Sequence, residues 1–283
     1  MAQTQSLDHL ILFVPVNPET KLPHLESFYE KNFRLTPGGF HADGITSNTL
    51  ILLADGCYIE LISFVDASKA PCHWWGPDAT FTGWKDWCLT NPKSPEENYI
   101  GVKDTHDEPV RGGRKRADGV DVKWAVTFPK VGRGVQNVRG RIPFFCHDIT
   151  QRNVRVPLSE ENTKHPCGAL GVMQLTVIVK DEALLDETNS AYRSIIGRDG
   201  TTKGDEVSFQ LGRVCNAAGL GGGASIVLRL PRAGRETEAA SRTGFWYGNV
   251  ILGAPASSEK TVGTRERLDS GEDDLRGIWV EYV

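Results

Sequence analysis

A single order of secondary-structure elements occurs twice in this sequence, and it restricts the folds that the chain can adopt. The first copy consists of the apolar strand "SLDHLILFVP", an amphipathic helix over 19–33, a turn at "PGG" and the strands "NTLILLAD" and "CYIELISFV". Asp55 and Gly56 lie between the last two strands and favour a hairpin turn. The strand "GVMQLTVIV", a helix over 181–197 and the strands "EVSFQLG" and "ASIVLRL" repeat the order. We therefore predict a structural repeat of β-α-β-β type.

Residues 66–165 fit this repeat less well. The strand-like pieces "GWKDWCLT", "VKWAVTFP" and "RIPFFCHDI" are interrupted by a polar run from Asn91 to Asp121. We interpret the segment as a third copy in which a loop replaces the helix. The basic run "RGGRKRADG" is expected to be part of a solvated loop. The alternative is that it forms a rim that attracts anions beside a pocket.

Length, charge and hydropathy argue against several classes of protein. The chain has 283 residues, a net charge of −4 and no run approaching the roughly 18 apolar residues of a membrane span. We therefore expect neither nucleic-acid nor membrane partners. The six cysteines contain no Cys-x-x-Cys pair, which argues against a cysteine-type zinc site and a disulfide framework. We expect a cytoplasmic protein with reduced thiols.

Two polar residues interrupt strands that are otherwise apolar. His9 alternates with Leu7 and Ile11 on one face of the first strand, and Glu60 lies on the same face of its strand as Ile62. A buried imidazole or carboxylate costs free energy unless a partner satisfies it. A divalent metal would bind both groups, and Zn, Ni, Mn and Fe(II) suit such ligands. A direct His–Glu hydrogen bond is the alternative.

The residues around this pair resemble a known family. "LDHLILFV" together with "YIELISFV" is similar to the first module of the vicinal oxygen chelate superfamily, which includes glyoxalase I, extradiol dioxygenases and bleomycin-resistance proteins. "PGGFHADGITSNTLILLADGCYIELISF" resembles the glyoxalase-like subfamily more narrowly, and "GWKDWCL", "GVDVKWAVTFP", "IPFF" and "HPCGALGV" resemble its later landmarks. The resemblance extends to about residue 230.

The resemblance implies an α+β fold. Repeated βαβββ modules would form cupped, mixed and mostly antiparallel sheets with helices outside and a pocket inside. Residues 1–150 would contain two paired modules, the second of them degenerate, and 151–283 a third module with an irregular C-terminal region. The odd number of modules suggests either a degenerate fourth unit from the tail or closure by a homodimer.

The resemblance also implies that His9 and Glu60 are metal ligands or substrate contacts. His41 and Asn48 would line the same cavity. A complete metal site in the superfamily takes further ligands from the partner module, but this chain offers Trp84, and Phe145 or His147, at the corresponding positions of its central segment. His9, Glu60 and either His41 or His147 can still make a three-ligand site with an open position.

We therefore assign candidate roles as follows. The candidate metal ligands are His9 and Glu60, the candidate catalytic groups are Glu60, His41 and His147, and the candidate substrate contacts are Asn48, Trp84, Trp124 and Phe145. The metal would chelate neighbouring oxygens of a small, oxygen-rich organic substrate. A lyase or isomerase is preferred to a dioxygenase, which generally needs two histidines and one carboxylate. The alternatives are a metal-free protein that sequesters a small molecule and a metal-free acid–base cyclase or isomerase.

Overall fold

Two mixed β-sheets form the framework of the chain in a computed structural model, which describes residues 5–116, 118–130, 139–232, 234–269, 271 and 277–283. The strands of the first sheet are β1 (Ser6–Phe13), β2 (Thr36–Phe40), β3 (Thr46–Leu52), β4 (Tyr58–Phe64), β5 (Gly83–Thr90), β6 (Val110–Lys115), β7 (Asp121–Thr127) and β8 (Phe144–Asp148). Those of the second are β9 (Gly171–Val179), β10 (Thr201–Lys203), β11 (Glu206–Gln210), β12 (Ser225–Arg229), β13 (Phe245–Ala254), β14 (Arg265–Arg267) and β15 (Ile278–Tyr282). The helices are α1 (Ser27–Asn32), α2 (Pro95–Val102), α3 (Arg152–Arg155), α4 (Glu160–Thr163), α5 (Glu182–Ile196) and α6 (Gly234–Thr243), and a 3₁₀ helix spans Ala67–Cys72.

Each sheet consists of two modules that meet at its centre. The first sheet has the strand order β2-β3-β4-β1-β5-β8-β7-β6, and the second the order β10-β11-β12-β9-β13-β15-β14. The first strand of every module pairs in parallel with the last: β1 with β4, β5 with β8, β9 with β12, and β13 with β15. The prediction of an α+β fold built from repeated modules is therefore confirmed. Strands β13, β14 and β15 form a shortened fourth unit. From the sequence we expected an irregular C-terminal region, with a degenerate fourth unit as one alternative.

The first sheet curls until its two edge strands almost meet. His41, which follows β2, forms an isolated antiparallel bridge with Arg114 of β6. The amide of Ala42 donates to the carbonyl of Gly113 at 3.0 Å. These contacts form a seam that turns the sheet into a cup. The other face of the sheet packs against the second sheet, since Leu10 and Leu12 share an apolar core with Leu175.

Strand β1 is apolar on both faces because one face packs on the second sheet and the other lines the cup. Ile11 and Phe13 belong to the apolar cluster inside the cup, whereas Leu10 and Leu12 belong to the core between the sheets. The expectation that Leu7 shares a face with Ile11 is wrong. A register shift against β5 between Leu7 and His9 interrupts the alternation, and Leu7 joins the core between the sheets.

The structure corrects two further expectations for individual elements. The first helix covers only Ser27–Asn32 rather than 19–33, because the chain before it is not helical: Lys21 has a left-handed φ of 61°, and Pro23 forms a β-bridge with Val16. The central copy keeps a helix, α2, which begins with a reciprocal capping box between Ser94 and Glu97.

The basic run that we expected in a loop instead contains an edge strand. Residues Val110–Lys115 form β6, which pairs along its whole length with β7. The edge position explains its polar composition, since the outer side of an edge strand faces solvent. In the described part of the chain, no helix has the length and apolar character needed to span a membrane. The cysteines whose side chains are described are free thiols, at Cys57, Cys88, Cys146, Cys167 and Cys215.

Candidate functional site

A cavity of about 500 Å³ occupies the inside of the cup. Its size lies within the range of small-molecule sites. Polar side chains converge on one part of it, and they come from His9, His41, Asn48, Glu60 and Arg114. Aromatic side chains form much of the remaining wall, and they come from Trp74, Trp75, Trp124, Phe128 and Phe144. The cavity therefore combines a small polar centre with a large apolar surface.

Glu60 of β4 is the focus of the polar centre. Its Oε2 lies 3.7 Å from His9 Nε2, and its Oε1 lies 3.4 Å from His41 Nε2. Asn48 of β3 donates its side-chain amide to Oε1 at 2.5 Å. Burial alone would raise the pKa of Glu60, but His41, His9 and Asn48 together lower that pKa to about 2. The side chain is therefore a carboxylate at neutral pH, held among two imidazoles and an amide.

His9 is oriented by the residue that precedes it. Its Nδ1 lies 2.6 Å from Asp8 Oδ1, and its ring stacks on Tyr58 with centroids 4.6 Å apart. Because an ionised carboxylate can only accept hydrogen bonds, His9 donates through Nδ1 and turns Nε2 toward Glu60. His9 Nε2 and Glu60 Oε2 lie 3.7 Å apart, which is too long for a direct hydrogen bond. In proteins, a carboxylate bound to one ring nitrogen commonly fixes the orientation of a histidine whose other nitrogen binds a ligand.

Asp8 is fixed in turn by the short helix α3, which follows the first sheet. Arg155 donates to both carboxylate oxygens of Asp8 at 2.9 Å, and Arg152 donates to Oδ2 at 2.8 Å. Burial would raise the pKa of Asp8, but the two guanidinium groups outweigh burial and hold that pKa well below its usual range. Arg155 also donates to the hydroxyl of Tyr58 at 2.8 Å. The helix thus holds both groups that position the His9 ring.

His41 approaches Glu60 from the seam. Its Nδ1 lies 2.6 Å from the hydroxyl oxygen of Thr46, which leaves Nε2 directed at Glu60 Oε1. The His41 side chain is 14% exposed, against 5% for His9, so it is the more accessible of the two imidazoles. Both imidazoles therefore have one nitrogen anchored and the other turned toward the same carboxylate.

A second group of potential metal ligands lies beside the first. Single ligand atoms of Asp8, His9 and Cys88 lie within 4.8 Å of one another. However, both oxygens of Asp8 are already bound by Arg155. Burial raises the pKa of the Cys88 thiol well above its usual value, which disfavours the thiolate that a metal requires. His9 with Glu60 is the better-suited pair of donors.

The structure brings His9, His41, Asn48 and Glu60 together, with Trp124 on the cavity wall. It places Trp84, Phe145 and His147 elsewhere. Phe144 and Cys146 of β8 line the cavity, so the alternating residues Phe145 and His147 point to the other face of the sheet.

Trp84 and His147 contact residues outside the cavity. Trp84 packs against Tyr247 of the second sheet, with ring centroids 6.1 Å apart. His147 Nε2 lies 3.4 Å from Asn91 Oδ1. The residue of β5 that lies opposite His9 is Cys88 rather than Trp84. A three-ligand site that includes His147 is therefore not formed.

Sequence reasoning missed several residues of the site. Asp8 directly precedes His9, and this adjacency was an available signal for an outer-shell carboxylate. Arg114 belongs to the basic run for which we raised an anion-attracting rim only as the alternative. Arg155 and Tyr58 carry no local signal, because their roles depend on contacts between distant parts of the chain.

Comparisons with known proteins identify the family and support the fold. The family model described as a glyoxalase-like domain matches residues 7–195. A hypothetical protein from Staphylococcus aureus has a crystal structure similar to this one, with a TM-score of 0.69 and 16% identity, covering 99% of this chain and 100% of that chain. No curated protein sequence matches this chain significantly.

Weaker structural similarities extend to two named enzymes. A mutant of 4-hydroxymandelate synthase from Streptomyces coelicolor has a TM-score of 0.48 and 11% identity, covering 89% of this chain and 72% of that chain. A glyoxalase I mutant from Zea mays has a TM-score of 0.31 and 10% identity, covering 99% of this chain and 94% of that chain.

Proposed function

The chain belongs to the glyoxalase-like domain family, and from this premise we propose that it is a metal-dependent enzyme of lyase or isomerase type. Its substrate would be a small, oxygen-rich organic molecule. The observation that carries the proposal is the pairing of His9 Nε2 with Glu60 Oε2, which face each other at 3.7 Å while Asp8 occupies His9 Nδ1.

The donor atoms fit a divalent cation. An imidazole nitrogen and a carboxylate oxygen suit Zn, Ni, Mn and Fe(II). With metal–ligand bonds of roughly 2.0–2.2 Å, two ligand atoms on one ion lie about 3–3.5 Å apart, close to the separation of His9 and Glu60. His9 and Glu60 would hold the ion, leaving other positions for substrate oxygens. A bound ion supplies Lewis-acid polarisation of those oxygens.

The chain's own residues would divide the remaining work. His41 Nε2 would be the accessible group that takes or returns a proton of the substrate, with Thr46 fixing its ring. His41 and His9, with a smaller contribution from the hydrogen bond that Asn48 donates to Oε1, keep Glu60 ionised. The lowered pKa of Glu60 makes it a poor base, which favours the role of ligand. The aromatic wall would pack against the apolar part of a substrate beside the polar centre.

One observation favours a second candidate function. His9, His41 and Glu60 together supply two imidazoles and one carboxylate, which is the donor set of non-haem Fe(II) oxygenases. In that case His41 would be a third ligand rather than a proton carrier. The sequence-based preference for a lyase or isomerase is weakened, because the two histidines and one carboxylate that a dioxygenase generally needs lie together here.

The experiment that tests the proposal combines metal content with proton exchange. Wild type and His41→Gln are loaded with Zn²⁺, Ni²⁺, Mn²⁺ or anaerobic Fe²⁺, and their bound metal is measured. A panel of α-hydroxy ketones and 1,2-diketones in D₂O is then followed by NMR. The proposal expects His41→Gln to keep its metal and lose deuterium incorporation.

Other outcomes point to the alternatives. Loss of metal in His41→Gln, with oxygen consumption by the Fe²⁺ form of wild type, favours the oxygenase. No stoichiometric metal in wild type contradicts both functions and favours a metal-free binder or cyclase. The exposed His24 provides a matched control, since His24→Gln should change neither metal content nor exchange.

A further inference from the structure

Arg114 is a buried cation whose contacts leave part of its guanidinium unused. It lies on β6 beside the seam and lines the cavity, although only 6% of the residue is exposed. Its Nη2 donates to the backbone carbonyl of Arg155 at 3.2 Å, and its Nη1 is buried without a hydrogen-bond partner. A buried donor without a partner costs free energy, and more so when it is charged.

The neighbouring Arg155 is neutralised by carboxylates, whereas Arg114 is not. Arg155 forms ion pairs with Asp8 at 2.9 Å and with Asp148 at 2.5 Å. Among the described residues, no carboxylate lies within 4.0 Å of the Arg114 guanidinium. Glu60 lies in the same cavity but beyond that distance, with His9, His41 and Asn48 around it. The cavity therefore holds a positive group that a ligand can neutralise.

Apolar surface lies next to this cation. A Cβ on Gly112 would come within 2.6 Å of Trp124 Nε1, so the missing side chain at 112 lets the indole lie over β6, two residues from Arg114. Further along the wall, the rings of Trp74 and Phe128 stack with centroids 4.2 Å apart, and the ring centroids of Phe128 and Phe144 are 5.5 Å apart. A flat apolar group can pack here while an anionic group on the same ligand reaches the guanidinium.

We propose that Arg114 binds the carboxylate of the substrate, so that the substrate is an aromatic carboxylic acid. A guanidinium suits the planar carboxylate, and the aromatic wall suits the ring. This inference rests on the proposed function only in taking the cavity as the substrate site. It adds the chemical class of the substrate and a specificity residue outside the His9–Glu60 pair.

The test uses ligands that differ in charge at one position. Naphthoate, the neutral naphthamide and naphthyl phosphate are titrated into the protein as purified, and binding is followed by calorimetry. The same titrations are repeated with chelator present, so that carboxylate binding to a metal is removed. Wild type is expected to bind naphthoate about tenfold more tightly than naphthamide in both conditions, which corresponds to one charge-assisted hydrogen bond.

Variants of Arg114 test whether this residue causes the preference for naphthoate over naphthamide. Arg114→Gln is expected to bind naphthoate and naphthamide equally, and Arg114→Lys to keep part of the preference because it keeps the charge. Arg116 lies just beyond the same strand, outside the cavity, and pairs with Asp118. Arg116→Gln is the matched control and should bind like wild type. If circular dichroism shows that Arg114→Gln is unfolded, Arg114→Lys is the test variant. It is then expected to lose the preference for naphthoate several-fold.

The outcomes separate this inference from the proposed function. Equal binding of naphthoate and naphthamide by wild type, tighter binding of naphthyl phosphate, or no binding of any probe overturns the carboxylate assignment. So does an Arg114→Gln variant that keeps the preference. If wild type binds no metal but shows the Arg114-dependent preference, this inference stands and the metal-dependent function fails. If wild type binds metal without the preference, the reverse holds.

Discussion

His41 and Arg114 form a backbone bridge across the seam where the two edge strands of the first sheet meet. The bridge joins residues from two different modules, so each module contributes one of the pair. The Nε2 of His41 approaches Glu60 from this seam, and the guanidinium of Arg114 reaches the same cavity. Closure of the cup is therefore also what brings the proposed proton carrier and the proposed carboxylate-binding group to one substrate.

Asp8→Asn tests whether the outer carboxylate orients His9. The variant removes the charge that balances Arg152 and Arg155 in the interior, so we expect the free energy of unfolding to fall by about 3–5 kcal/mol. Loss of the anchor at His9 Nδ1 should also weaken Zn²⁺ binding on the order of tenfold or more. Urea denaturation and calorimetric titration measure the two effects.

Asp148→Asn is the control for that variant. Asp148 also accepts hydrogen bonds from Arg155 and Arg152, but it does not touch His9. It should lower stability by about 1–2 kcal/mol and leave Zn²⁺ affinity unchanged. Equal losses of metal affinity in the two variants would mean that Asp8 acts only through the stability of the network.

Asp55→Asn tests a pH dependence at the junction of the two sheets. Asp55, in the turn between β3 and β4, accepts hydrogen bonds from the amides of Cys57 and Val172, and burial raises its pKa to about 6. Since the folded pKa lies above the usual 3.8, its contribution to stability is greatest below pH 4 and is lost as the pH rises through 6. Asparagine does not titrate in this range.

The measurement is the difference in unfolding free energy between wild type and Asp55→Asn. We expect this difference, wild type minus variant, to fall by about 2 kcal/mol between pH 4.5 and pH 7.5. Urea denaturation at both pH values gives the result. A difference that stays constant or rises with pH contradicts the raised pKa of Asp55.

Trp124→Leu and Trp84→Leu compare two tryptophans that the sequence proposed together as substrate contacts. Trp124 lines the cavity, whereas Trp84 packs between the sheets. Trp124→Leu should weaken naphthoate binding about three- to tenfold through loss of ring contact. Trp84→Leu should destabilise the fold by about 2–4 kcal/mol and change naphthoate affinity by less than about twofold. The opposite pattern would place the substrate away from the cup.

The sequence predicts the pairing of His9 and Glu60 because both residues stand in long apolar strands. Such strands have few alternative registers once both faces are buried. The prediction survives the local shift at Leu7, since His9, Ile11 and Phe13 keep their alternation. A polar residue inside a buried strand is thus a signal that local pattern analysis can find.

The contribution of the central module could not be predicted in the same way. Cys88, not Trp84, lies opposite His9, because the register between β1 and β5 is set by contacts between modules. Likewise, Arg114 belongs to a strand whose sequence is that of a polar loop, and only its pairing with β7 makes it a strand. Interactions between residues far apart in sequence determine these positions, so the local hydrophobic pattern does not reveal them.

We propose that His9 and Glu60 form one metal site, and a Co²⁺ titration followed by absorption spectroscopy is a direct test of that site. Wild type, His9→Ala, Glu60→Gln and Cys88→Ser are titrated under identical conditions. We expect one Co²⁺ per chain in wild type and in Cys88→Ser, without a thiolate charge-transfer band, and no stoichiometric Co²⁺ in the other two variants. No bound Co²⁺ in wild type, or binding that is lost in Cys88→Ser and kept in Glu60→Gln, would contradict it.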